Sequence, residues 1–246
     1  GKLWSVKGRI IAASGTGIYE AGSLATSVSL KTLPSGQTWT DVVDAGSVII
    51  ASATDGHLYM WAEQDGELVL AGQEDFEGEI PYAVGMAQGV LFVGTGVTTT
   101  GGGKIGRLWI AEVVGQKLRN AQMLRDWGNG SSTRDHVPRG FYSTRDAMFF
   151  AVHEASAESH LWRFHLATAG LTRDVIFGVG AVTVGIHAVD DRLFGFYASD
   201  KRRELTTFAT TGYLIGPLAD FYTAQPKVWV GGRMDAQITV TQETIV

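Results

Sequence analysis

A chain of 246 residues with 45% hydrophobic and 18% charged residues holds enough apolar material for a large core and too little charge for a disordered segment. A formal net charge of −5 leaves no basic footprint for general nucleic-acid binding. The absence of Cys removes disulfides and thiolate metal sites, and no apolar run reaches the roughly 18 residues that span a bilayer, so no membrane insertion is expected.

Along the chain one pattern recurs: a β-branched or aromatic run ending in small residues, a polar turn, then a second run that carries aromatics. Arg9-Ile10-Ile11-Ala12-Ala13 is followed by Gly17-Ile18-Tyr19-Glu20, and Val48-Ile49-Ile50-Ala51-Ser52 by His57-Leu58-Tyr59-Met60-Trp61. Val90-Leu91-Phe92-Val93-Gly94 precedes Arg107-Leu108-Trp109-Ile110-Ala111. Ala147-Met148-Phe149-Phe150-Ala151 precedes His160-Leu161-Trp162-Arg163-Phe164, and Arg192-Leu193-Phe194-Gly195-Phe196 precedes Glu204-Leu205-Thr206-Thr207-Phe208. The first runs are spaced by about 39, 42, 57 and 45 residues, close to the roughly 40–50 that a four-stranded propeller blade needs.

Most units extend to four strands. The second gives residues 40–46, 47–52, 57–63 and 67–72, with Asp55-Gly56 and Asp65-Gly66 as hairpin turns. The third gives 82–86, 90–94, 107–113 and 121–127, and the fourth 140–144, 147–153, 160–167 and 172–178. The fifth gives 182–189, 192–198, 204–210 and 213–219, with Lys201, Arg202 and Arg203 as a solvated hairpin tip. Leu118, Ala121, Met123 and Leu124 also fit one face of a helix over 116–127, but the blade pattern asks for a strand there. Runs such as 48–51, 90–93 and 148–152 are apolar at successive positions, as strands buried on both faces should be. The sequence therefore predicts an all-β fold, a β-propeller of about five four-stranded blades over residues 1–225. Residues 226–246 form a closing strand or the start of a following β domain. A two-sheet sandwich also satisfies regular strand spacing.

Ser35-Gly36-Gln37-Thr38-Trp39 resembles the tail of the Asp-box repeat of sialidase-like propellers. Gly36, Thr38 and Trp39 match, while Thr32 stands for the Ser and Pro34 for the Asp of that repeat. The resemblance implies a structural hairpin turn whose Trp packs between strands, with no catalytic role. Near the end, Tyr213-Leu214, Asp220-Phe221 and Lys227-Val228-Trp229 resemble the exit of propeller domains in bacteriophage tail and other virion structural proteins. That resemblance implies a virion setting, with other virion or assembly proteins or further copies of the chain as partners.

Catalytic signatures are missing. The stretch from Gly94 to Lys104 fails the phosphate-loop pattern, because Thr98 stands where Gly is required and Ile105 where Ser or Thr is required. It reads as a flexible hairpin loop. His160 and His165 point to opposite faces of one strand, so they do not share a metal; His153 and His160 would have to meet across a hairpin. No nucleophile elbow and no zinc-protease helix motif occurs. No catalytic residue, metal or cofactor is assigned. Residues 97–104 and 127–139 interrupt the repeat, and Thr98, Lys104, Trp127, Asn129 and Arg139 are the candidate binding residues. Trp127 beside a polar loop suits an interface anchor or a platform for a sugar ring. The expected function is a non-catalytic structural or interaction module; the alternative is a propeller that binds or cleaves carbohydrate, such as a host-surface glycan.

Overall fold

The computed structural model describes residues 2–21, 27–76, 78–154, 158–179, 185–189, 192–196, 201–203 and 214–215. All regular elements among them are strands, arranged as antiparallel meanders in chain order. The first sheet is β1 (Lys2–Val6), β2 (Arg9–Ser14), β3 (Gly17–Ala21) and β4 (Ser27–Thr32). The second is β5 (Trp39–Asp44), β6 (Val48–Ala53), β7 (His57–Gln64) and β8 (Glu67–Asp75). The third is β9 (Ile80–Ala87), β10 (Val90–Thr98), β11 (Lys104–Val114) and β12 (Lys117–Trp127). The fourth is β13 (Arg139–Ser143), β14 (Ala147–His153), β15 (Glu158–His165) and β16 (Gly170–Val179). The segment that also fits a helix face, 116–127, is thus a strand.

The first strands pack side by side, β1 on β5, β5 on β9, and β9 on β13. Sheets that meet along their first strands and stack face to face make a β-propeller. Among the described residues it has four four-stranded blades, and not about five. The fifth unit supplies a three-stranded sheet, β17 (Gly185–Val189), β18 (Arg192–Phe196) and β19 (Lys201–Arg203), with β17 packed on β13. Its expected fourth strand contributes β20 (Leu214–Ile215), which pairs instead with β16 through Leu171↔Ile215 and Thr172↔Leu214. The open edge of the fourth blade takes the segment, because an edge strand presents unpaired amide and carbonyl groups to any extended neighbour. Lys201, Arg202 and Arg203 pair with β18 and are no hairpin tip. Residues 204–213 and 216–246, with the proposed Asp220 and Trp229 exit, lie outside the described residues.

Cores sit between blades, and the second strands β6, β10 and β14 each serve two of them. Ile49 and Ala51 face the first blade beside Ile11, Ile18, Trp39 and Trp61. Their neighbours Val48 and Ile50 face the third blade beside Leu91 and Val93. Phe92 then points the other way, toward Phe150, Trp162 and Phe164 of the fourth blade. Phe149 and Ala151 face Ile186 of β17. This period-two alternation, buried on both sides, is the reason the second strands read as unbroken apolar runs.

The stretch resembling an Asp box is not a hairpin. It joins β4 to β5, the step from the first blade to the second. A turn closes with Gln37 N–H donating to the Pro34 carbonyl at 3.2 Å, with Gly36 at φ 85°. Trp39 does pack between strands: it is 2% exposed, stands 5.2 Å from Tyr59 and 5.8 Å from Trp61, and donates to the Thr16 carbonyl at 2.9 Å.

Candidate functional site

The two interruptions of the repeat lie on each other. Only 99–103 turns the β10–β11 hairpin; Thr98 and Lys104 are the last pair of its ladder. The segment 128–138, which carries the chain from β12 to β13, lies along this hairpin. Thr100 N–H donates to Gly130 O at 3.1 Å, Gly103 N–H to Ser132 O at 3.1 Å and Lys104 N–H to Arg134 O at 2.7 Å. His136 N–H returns to Lys104 O at 3.1 Å, giving a parallel bridge between Lys104 and Asp135.

Glycines make this approach possible. A Cβ on Gly106 would stand 1.9 Å from His136 O, one on Gly94 2.1 Å from Pro138 O, and one on Gly103 2.3 Å from Arg134 N. A Cβ on Gly101 would stand 2.4 Å from Ser131 O. Each opposing atom is backbone and has no rotamer by which to withdraw. The glycine-rich stretch expected as a flexible loop is therefore a docking seam, with its backbone amides and carbonyls bonded to the facing segment.

Side chains lock the inner end of the seam. Asp135 accepts from Lys104 Nζ at 3.0 Å and from Arg139 Nη2 at 2.8 Å, and receives Val137 N–H at 3.1 Å. Both cations also lie over the Tyr82 ring, Lys104 Nζ at 5.2 Å and the Arg139 guanidinium at 4.5 Å from its centroid. Burial of Asp135 opposes its ionisation, but Arg139, Lys104 and the Val137 amide outweigh it and hold the carboxyl below the usual aspartate value. A depressed carboxyl stabilises the fold above its unfolded value of about 3.8 and loses that contribution as pH falls through its folded value. The stability deficit of Asp135→Asn should therefore be full at pH 6 and shrink below pH 3.8. Urea unfolding across pH 2.5–6 tests this; a deficit that does not change with pH would remove Asp135 from the lock.

At the outer end the segment walls a cleft of about 530 Å³ lined by Trp127, Gly128, Asn129, Ser132, Arg134, His136 and Glu154, among others. Asn129 Oδ1 receives Ser131 N–H at 3.1 Å and Ser131 Oγ–H at 2.9 Å, and Ser132 Oγ receives Asn129 N–H at 2.9 Å, so the rim is held by its own short turn. Gly128 (φ 88°) sits under His136, whose Cδ2 would lie 2.6 Å from an added Cβ. Glu154 receives Trp162 Nε1–H at 2.6 Å and pairs with Arg173 at 3.2 Å. Two other donors differ: Trp127 Nε1 and Arg134 Nη1 are buried and make no hydrogen bond. Burying an unsatisfied donor costs roughly 1–3 kcal/mol.

Trp127 is no sugar platform. It is 6% exposed, with Trp162 at 5.4 Å, Phe150 at 6.0 Å and the Arg125 guanidinium over its ring at 5.4 Å. The ring faces are covered. Thr98 and Asn129 are exposed, while Lys104, Arg139 and Trp127 do structural work. Sequence reasoning missed Arg134, His136, Asp135 and Glu154. The signal available for the first three was the run of glycines, too many for one turn.

Arg139 also reaches a second cleft of about 460 Å³ along the first strands, lined by Lys2, Trp4, Thr40, Asp41 and Tyr82. Asp41 accepts from Trp4 Nε1 at 3.0 Å, Val84 N at 3.1 Å and Val42 N at 2.9 Å. Burial nevertheless raises its carboxyl above the usual value. Burial likewise lowers the Lys2 ammonium, whose Nζ donates to Thr40 O at 2.8 Å. Among the described residues no group of three or more His, Asp or Glu is placed to hold a metal.

The chain matches no protein-family model and no curated protein sequence. It is similar to solved structures. The β-propeller domain of Myceliophteria thermophila Cps50 (Swd1) superposes with a TM-score of 0.50 at 12% identity, over 80% of this chain and 66% of that domain, just under two thirds of its length. The computationally designed Ika4 protein gives 0.46 at 15% identity, over 80% of this chain and 99% of the other. Myxococcus xanthus glutaminyl cyclase gives 0.46 at 14% identity, over 87% of this chain and 90% of the other. At such identities the likeness reaches the fold and stops there: the chain is a β-propeller.

Proposed function

We propose that this propeller is a non-catalytic contact module and that its contact surface is the joined face of residues 97–104 and 127–139. The observation that carries the reading is the seam. Two loops that interrupt the blade repeat are bonded into one rigid, polar platform at one end of the third blade. Loops held on a stiff scaffold are where binding residues concentrate, and ordering them beforehand lowers the entropy lost on binding. The setting proposed is a bacteriophage virion, with other virion or assembly proteins or further copies of the chain as partners. Its support is the sequence resemblance near Tyr213 alone.

A photo-crosslinking residue at exposed Thr133 should give adducts with partner proteins in the assembled particle. The same residue at Val69, 44% exposed on an outer strand, should give few. Equal yields from both positions would defeat the reading. So would turnover of a sugar substrate that is abolished by Asp41→Asn.

A further inference from the structure

We propose that the cleft of about 460 Å³ along the first strands is a binding site for a small molecule that carries an anionic oxygen group. This site goes beyond the contact face and does not depend on it. Each of the four blades lines the cleft with its first strand: Lys2 and Trp4 from β1, Thr40 and Asp41 from β5, Tyr82 from β9, and Arg139 from β13. A volume of this size suits a small ligand.

A chain of contacts sets the donors side by side. Lys2 Nζ donates to Thr40 O at 2.8 Å, and the Thr40 hydroxyl donates to the carbonyl of Pro81, the residue before Tyr82, at 2.9 Å. The Arg139 guanidinium lies 4.5 Å from the Tyr82 ring centroid. All three donors have capacity left. Lys2 bonds two main-chain carbonyls and keeps a third N–H. Arg139 gives Nη2 to Asp135, which leaves Nη1. The half-buried Tyr82 offers a hydroxyl with no hydrogen bond among the described residues. Unlike Arg139 Nε, neither Nη1 nor this hydroxyl is sealed from solvent.

The charge here is positive, with Lys2, Lys104 and Arg139 set against Asp41 and Asp135. Both carboxylates are occupied: Asp135 by Lys104 and Arg139, Asp41 by the N–H groups of Trp4, Val42 and Val84. Burial lowers the Lys2 ammonium below its usual value; Asp41 opposes this and the charge of Arg139 adds to it. An anionic group between Lys2 and Arg139 offsets that repulsion and accepts bonds of the stronger, charge-assisted kind. A phosphate and a carboxylate share this chemistry.

The test is a titration of the full chain, labelled with ¹³C and ¹⁵N and followed by NMR at the assigned amides of Asp41 and Ala83. The probes are methyl phosphate, acetate and chloride at matched ionic strength. Methyl phosphate or acetate should move these amides in a saturable way, and whichever binds tighter names the group. The amide of Asn129, in the other cleft, should stay still. Tyr82→Phe keeps the ring, removes the hydroxyl and should weaken binding about tenfold, as loss of one charge-assisted bond does. Lys2→Gln, at an exposed position, should do the same, and it decides the matter should Tyr82→Phe misfold. Silence toward both organic anions, an equal response to chloride, or indifference to either folded variant overturns the site.

Discussion

Phe92→Ala should destabilise the protein by about 3–5 kcal/mol, the usual cost of emptying a buried phenylalanine site. Phe92 is fully buried between the third and fourth blades, with Phe164 at 5.2 Å and Phe141 at 6.3 Å. The surrounding rings are anchored on other strands and cannot close the hole. Phe149, an equivalent position one blade on, is 8% exposed and faces small Ala147 and Ala151 beside Leu161 and Ile186. Its truncation should fall at the low end of the same range. Chemical unfolding of both variants checks the order, and near-wild-type stability for Phe92→Ala would show that the blade registers are wrong.

Glu79→Ala should cost about 3 kcal/mol, near the lower limit for breaking a buried ion pair. Glu79 is 7% exposed and precedes β9. Its carboxylate receives Arg107 Nη1, Thr95 Oγ1 and, at 3.0 Å, Trp109 Nε1. Arg107 and Thr95 lose this acceptor when it goes, and Trp109 Nε1 is left with Thr95 Oγ1 at 3.1 Å alone. Arg107 keeps 31% of its side-chain exposure and regains water, which is why the loss sits at the lower limit. Since Glu79 grips β10 and β11 where Ile80 pairs with Gly96, the variant should also loosen the neighbouring seam. Faster amide exchange at Thr100 and Gly103 would report it. Wild-type exchange there, with the full stability loss, would confine Glu79 to the blade.

Much of the fold was legible. Strands such as β6 and β14, with every residue from Val48 to Ala53 and from Ala147 to Val152 buried, announce themselves as continuous apolar runs. Asp-Gly turns marked the hairpins of the second blade. The blade count was not legible, because residues 213–219 satisfy strand composition in either pairing, and register with β16 is decided by a free edge that sequence does not display. Phe194 lies outside the residues whose burial is described. The candidate loops were found as breaks in a repeat. What they do to each other was hidden, because a backbone-to-backbone seam leaves no mark except missing Cβ atoms. Trp127 was misjudged for a related reason: a strand-end aromatic looks exposed until the neighbouring blade supplies Trp162 and Phe150.

The seam also divides the face by how freely it can change through evolution. Positions 94, 101, 103 and 106 tolerate one residue type each, since any side chain would strike the opposing main chain. Asn129, Ser131 and Thr133 across from them are exposed and carry no such veto. Variation on this face is therefore channelled onto one side of the seam while the other stays fixed. A library randomised at positions 131 and 133, with the hairpin unaltered and Asn129 kept to accept the backbone N–H of residue 131, would change this surface without touching the scaffold that presents it.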